Sequence, residues 1–147
     1  MPRVLAAVDG TEQANRVADY LIDRVRDSIV THVVVLNAQP KPQEWRTRGI
    51  AREAIRGRLQ ELGHKATALV TERLEEAHFS VKPRVELGDP ADTIIRCAKE
   101  EDCDLIIMSA KRMGRLGSAF VRNTGVTCGS VAAQVVKLAD IPVVVIK

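Results

Sequence analysis

Four short apolar runs, set apart by stretches of helical period, constrain this chain more than any other feature. They are Arg3 to Val8 (RVLAAV), Thr31 to Leu36 (THVVVL), Leu105 to Met108 (LIIM) and Ile141 to Ile146 (IPVVVI). Runs this short, apolar on successive residues, read as strands covered on both faces. A fifth run, Val81 to Leu87, alternates Val81, Val85 and Leu87 with polar residues, the pattern of a half-buried strand. Pro83 inside it has no N–H to give to a ladder, which places this strand at a sheet edge.

The intervening stretches read as helices. After Asp9-Gly10, residues Ala14, Val17, Ala18, Leu21, Ile22 and Val25 fall on one helical face. Asn37 and Pro40 close the second strand. A long helix follows, from Glu44 or Arg48 to Ala77, with an apolar stripe that includes Leu59, Leu62, Ala66, Leu69 and Leu74. Gly57 and Gly63 weaken it and mark Gly63-His64 as a point of breakage. Gly88-Asp89-Pro90 is a helix start, with Asp89 as N-cap and Pro90 at the first helical position. Ala91, Ile94, Ile95 and Ala98 form that helix's inner face, and Ser130 caps a last helix carrying Ala132, Val135, Val136 and Ala139.

Strands alternating with helices imply right-handed βαβ units and a parallel sheet with helices on both faces. With strand one central and the Pro83 strand at an edge, the order is 3-2-1-4-5. The whole length, 1–147, is then one α/β domain. Ligands in such sheets sit beyond the carboxyl ends of the strands, where the order reverses. That crevice lies between strands one and four, at the strand ends Asp9 and Met108-Ser109, with Asn37-Ala38 as the neighbouring strand end.

Composition excludes several classes. No apolar run approaches the roughly 20 residues that span a bilayer, so no membrane association is expected. Met1-Pro2-Arg3-Val4 enters a strand directly, without a signal-peptide pattern. A net charge of +3 and an aromatic content of 3% argue against a nucleic-acid partner. Cys97, Cys103 and Cys128 form no CxxC motif and read as reduced thiols of a cytoplasmic protein. His32, His64 and His78 have no ligand spacing, so no metal is expected.

The stretch from Asp104 to Ser130 carries the chemistry. After the LIIM strand comes a loop of small and basic residues, Ser109, Ala110, Lys111, Arg112, Gly114, Arg115, Gly117 and Ser118. It leads to Gly129-Ser130 and a helix start, and no acidic residue falls between Asp104 and Asp140. A strand, a small-residue loop and a helix N-terminus together form an anion site, since free N–H groups and the helix dipole favour negative charge there. There is no GxxxxGK[ST] and no GxGxxG after the first strand. Neither paired carboxylates nor a nucleophile with a neighbouring base appears, so no catalytic residue is expected.

Three blocks together carry a resemblance. AAVDGTEQA resembles the VDGS-type opening of the universal stress protein family. LGDPADTIIRCAKEEDCDLIIMS resembles that family's GDP-helix-DLIVMG block, and GSVAAQVVKLADIPVVVIK its GS-capped last helix and closing strand. The resemblance implies a flavodoxin-like fold of order 3-2-1-4-5, a cytoplasmic stress-response role, and a homodimer formed through the closing strand, Pro142 to Ile146.

It also implies an adenine-nucleotide site for ATP or AMP, built from Ala7, Val8, Asp9, Asn37, Met108, Ser109, Lys111, Arg112, Gly114, Gly117, Gly129, Ser130 and Val131. The site departs from the family's ATP-binding pattern of Gly, two residues, Gly, nine residues, then Gly-Ser. Ser109 and Arg112 stand at the two glycine positions, and sixteen residues rather than nine separate Arg112 from Gly129. A side chain there obstructs the approach of backbone to phosphate. The readings left open are an adenine nucleotide, another anion or small metabolite, and no ligand. The functions left open are a regulatory or stress-response binding module, a weak nucleotide hydrolase and a structural interaction protein.

Overall fold

The computed structural model describes residues 3–25, 32–39, 49–110 and 130–146. Strand β1 is Arg3–Ala7, followed by helix α1, Gln13–Tyr20, which widens into a π-helical turn over Leu21–Val25. Strand β2 spans His32–Gln39, helix α2 Gly49–Glu76 and strand β3 Ser80–Leu87. Helix α3, Pro90–Glu100, and strand β4, Leu105–Ser109, precede helix α4, Ser130–Leu138, and strand β5, Val143–Ile146.

All four strand pairs are parallel, and the sheet order is β3-β2-β1-β4-β5. This is the expected topology, with the Pro83 strand at one edge. Side-chain alternation divides the core into two layers. Val4, Ala6, Val33, Val35 and Ile107 face Val17, Ala18 and Leu21 of the first helical segment, and Val70 and Leu74 of α2. Leu5, Leu36, Ile106 and Met108 face Ile94, Cys97 and Ala98 of α3 and Val135 of α4. Each fully buried Val, Leu or Ile contributes about 1.5–3 kcal/mol, so the central strands, sealed on both faces, anchor the strand ends that follow.

Four sequence expectations are corrected. Strand β2 does not close at Asn37. It runs on to Gln39 because β3 pairs with it throughout, Gln39 opposite Leu87, after β1 has ended. Helix α2 passes through Gly63-His64 without a break. Its packed face is also rotated from most of the predicted stripe: Gly63, Thr67 and Val70 are buried along with the expected Leu74, while Leu62 and Leu69 are 52% and 65% exposed. Gly63 is the reason, since a Cβ there would stand 2.4 Å from a Val85 methyl. The helix axis comes so close to the sheet at this point that only glycine fits. On α4, Val136 is exposed rather than inward.

Candidate functional site

Where β1 ends and the sheet order reverses, a crevice of about 640 Å³ opens beyond the strand ends. Its floor is the Asp9-Gly10 turn and the end of β2, Asn37 to Gln39. One wall is α2, through Leu62, Lys65, Ala66 and Leu69, and the other is the first turns of α3 and α4, through Pro90 and Val131.

The Asp9 turn is held by its own side chain. Asp9 Oδ1 accepts the Thr11 backbone N–H (3.0 Å) and the Thr11 hydroxyl (2.6 Å). Oδ2 has no partner among the described residues. Gly10 follows at φ +81°, and a Cβ on it would meet the Ala66 Cβ at 2.9 Å. Both the left-handed conformation and the contact with α2 therefore require glycine.

The end of β2 is organised by one amide. Val8 N–H still donates to Leu36 C=O (2.9 Å), but the Val8 carbonyl takes its bond from Asn37 Nδ2 (2.8 Å), a buried side chain. In a parallel ladder the next donor to that carbonyl would be the Ala38 N–H. The side chain replaces it, the two strands part, and Ala38 turns its N–H and C=O toward the crevice with no backbone partner on that side among the described residues. Gln39 then locks the floor to α2, with Nε2 donating to Asn37 Oδ1 (2.7 Å) and to Leu59 C=O (2.9 Å).

The two helix starts differ. In α3, the Asp89 side chain accepts the Asp92 N–H (3.1 Å), so a carboxylate already occupies that terminus. No acidic residue lies in the first turn of α4, and its dipole favours an anion. Lys65 is the cation among the described lining residues.

Of the residues singled out from sequence, Asp9, Asn37 and Val131 line the crevice. Ala7, Val8 and Met108 are buried in the core and do not line it. Ser109 ends β4 and Ser130 opens α4. Lys111, Arg112, Gly114, Gly117 and Gly129 lie outside the described residues. Ala38, read from sequence as part of the neighbouring strand end, also lines the crevice, whereas Gly10, Gln39, Leu62, Lys65, Ala66, Leu69 and Pro90 were not singled out for the site. Gly10 carried a signal, a glycine directly after a strand-end aspartate. Ala38 was legible only as a strand end, and its side chain carried no signal.

The thiols are packed rather than poised. Burial pushes the Cys103 thiol up to about 11 and raises that of Cys97, so both stay protonated at neutral pH. Among the described residues no group of three His, Cys, Asp or Glu side chains is placed to hold a metal ion. None of the described helices is long and apolar enough to cross a membrane.

Comparison with known proteins gives a consistent result. The family model described as the Universal stress protein family matches residues 1–147. The universal stress protein MJ0531 of Methanocaldococcus jannaschii is 28% identical over 99% of this chain and 81% of its own length. A Thermus aquaticus universal stress protein is 28% identical over 98% and 97%. MJ0577 of M. jannaschii is 29% identical over 63% of this chain and 53% of its own length. Its solved structure superimposes with a TM-score of 0.81 at 22% identity, over 99% of this chain and 95% of that one. An Arabidopsis thaliana family protein solved with AMP bound gives a TM-score of 0.69 at 18% identity (100% and 92% covered). The Archaeoglobus fulgidus protein in complex with dAMP gives 0.59 at 22% (100% and 98% covered).

Proposed function

The chain belongs to the universal stress protein family, and from that premise we propose that it is a regulatory binding module whose crevice takes an adenine nucleotide. The observation that carries this reading is the parted end of β2. Ala38 offers a donor and an acceptor side by side at the inner end of the crevice. That pair complements the ring nitrogen and exocyclic amine of adenine. Asp9 Oδ2, still open as an acceptor, suits a ribose hydroxyl, and the acid-free start of α4 suits a phosphate. The volume lies within the usual range for small-molecule sites, and AMP and dAMP are the ligands bound by two structural relatives.

In the sequence Lys111 and Arg112 follow β4 after Ala110, where the family pattern relies on glycine and backbone. In the proposed complex these two residues are assigned the charge-assisted contacts to phosphate. Titration calorimetry of the purified protein with ATP and with AMP tests the proposal. One site per chain is expected, with a raised melting temperature in saturating ligand. Lys111→Ala with Arg112→Ala should weaken ATP at least about tenfold, or 1.4 kcal/mol, and AMP less. No heat and no thermal shift with either nucleotide at millimolar concentration overturns the reading. We further propose that the protein works as a homodimer joined through β5.

A further inference from the structure

We infer that Gln39 sets the base preference of the crevice, accepting a hydrogen bond from the exocyclic amine of a 6-aminopurine and disfavouring a 6-oxopurine. This rests on the adenine-nucleotide reading above and adds to it a residue that acts through its side chain.

The side-chain amides at the end of β2 have forced orientations. Val8 C=O can only accept, so the Asn37 atom 2.8 Å from it must be the amide nitrogen. Asn37 Oδ1 therefore points the other way, toward Gln39. The Gln39 atom near it lies 2.7 Å from Oδ1 and 2.9 Å from the Leu59 carbonyl, two acceptors, and so must be nitrogen. Both Nε2 hydrogens are then consumed inside the protein. A glutamine amide normally reads donors and acceptors alike by flipping. This one cannot flip without setting its oxygen against two other oxygens.

What remains for a ligand is Oε1 alone. It has no donor among the described residues, and it is not one of the buried orphan atoms there, which are Gln13 Oε1 and Thr71 Oγ1. Gln39 lines the crevice next to Ala38. The end of β2 thus presents two acceptors to the group at purine position 6, the Ala38 carbonyl and Gln39 Oε1. A 6-amino group carries two hydrogens and can satisfy both. A 6-oxo group brings a third oxygen and satisfies neither, and sites built around such a bond reject the analogue that lacks it.

The test compares AMP with inosine 5′-monophosphate on the full-length chain, by calorimetry. Wild type should bind AMP far more tightly than inosine monophosphate. Gln39→Met should reduce that preference at least about tenfold, through weaker AMP binding with inosine monophosphate little changed. A preference untouched by Gln39→Met overturns the inference and leaves the nucleotide reading intact, whereas no AMP binding by wild type removes both. Should the variant lose its cooperative melt, wild type alone decides through purine riboside 5′-monophosphate, which has no amine. Two unsatisfied acceptors imply a loss of about a hundredfold relative to AMP, at about 1.4 kcal/mol each. A loss of only about tenfold, one acceptor's worth, or none, overturns the assignment.

Discussion

Two glycines in one helix show how position decides the meaning of a residue. Gly57 and Gly63 both lie in α2, and by propensity each costs about 1 kcal/mol relative to alanine. A Cβ at Gly57 meets nothing within 4 Å, whereas at Gly63 it would stand 2.4 and 2.8 Å from the two Val85 methyls and 3.1 Å from Asn37 Oδ1. Valine is stiff at χ1 and offers little room to yield. Gly57→Ala should therefore stabilise the fold by about 0.5–1 kcal/mol. Gly63→Ala should destabilise it by about 1–2 kcal/mol after its propensity gain, because overpacking outweighs propensity. Chemical denaturation of the two variants checks the pair, and equal shifts would show that α2 is not seated as described. Asp9 and Asn37 could be read from sequence because polar residues at the ends of apolar strands stand out. Gln39 could not, since Pro40 after it suggested that the strand had already closed, and the pairing to β3 that extends the strand is non-local.

At the scale of elements, α2 and β3 illustrate different limits of pattern reading. The leucines of α2 suggested one stripe, but the helix has two apolar surfaces, one on the sheet and one, Leu62 and Leu69, along the crevice. Periodicity counts apolar residues without saying what covers them. The β3 edge was legible from Pro83, and the charged residues interleaved there pair with the end of α3. Arg84 binds Glu86, Glu100 and Glu101, and Lys82 binds Glu101 at 2.8 Å. The hydrogen bond from Lys82, with Arg84 beside it, holds the Glu101 carboxyl below the ordinary range. A depressed folded-state pKa means that the unfolded chain takes up the proton first as the pH falls. The stabilisation is then complete above about pH 4.3, the ordinary glutamate value, and is lost as acid titrates Glu101 in the folded protein. Glu101→Gln should accordingly lower the melting temperature at pH 7, with the gap from wild type closing toward pH 3. A gap that stays constant across that range would show that Glu101 acts by packing alone.

For the whole molecule, strand order followed from one proline and the βαβ rule, whereas the proposed dimer rests on the opposite edge. Ile106 N–H of β4 donates to Pro142 C=O, and Ala110 N–H just after β4 to Ile146 C=O, so the even residues of β5 face β4. The backbone groups of Val143 and Val145 must then face outward, along an edge with no charge between Pro142 and Lys147. Beside it, α4 exposes Val136 and Leu138 at 53% and 51%. Open strand edges are usually blunted by charge, proline or bulges, as the β3 edge is. A two-fold axis pairing two copies of β5 antiparallel would satisfy those groups and shelter the flanking apolar side chains in one self-complementary patch. Val145→Pro isolates this contact. Its N–H faces outward, so proline removes no bond to β4, and an edge strand accommodates the ring. Light scattering at micromolar concentration should give a dimer for wild type and a monomer for Val145→Pro, with the variant's cooperative melt retained. A monomeric wild type would end the proposal, and a dimer indifferent to the proline would place the interface on another face.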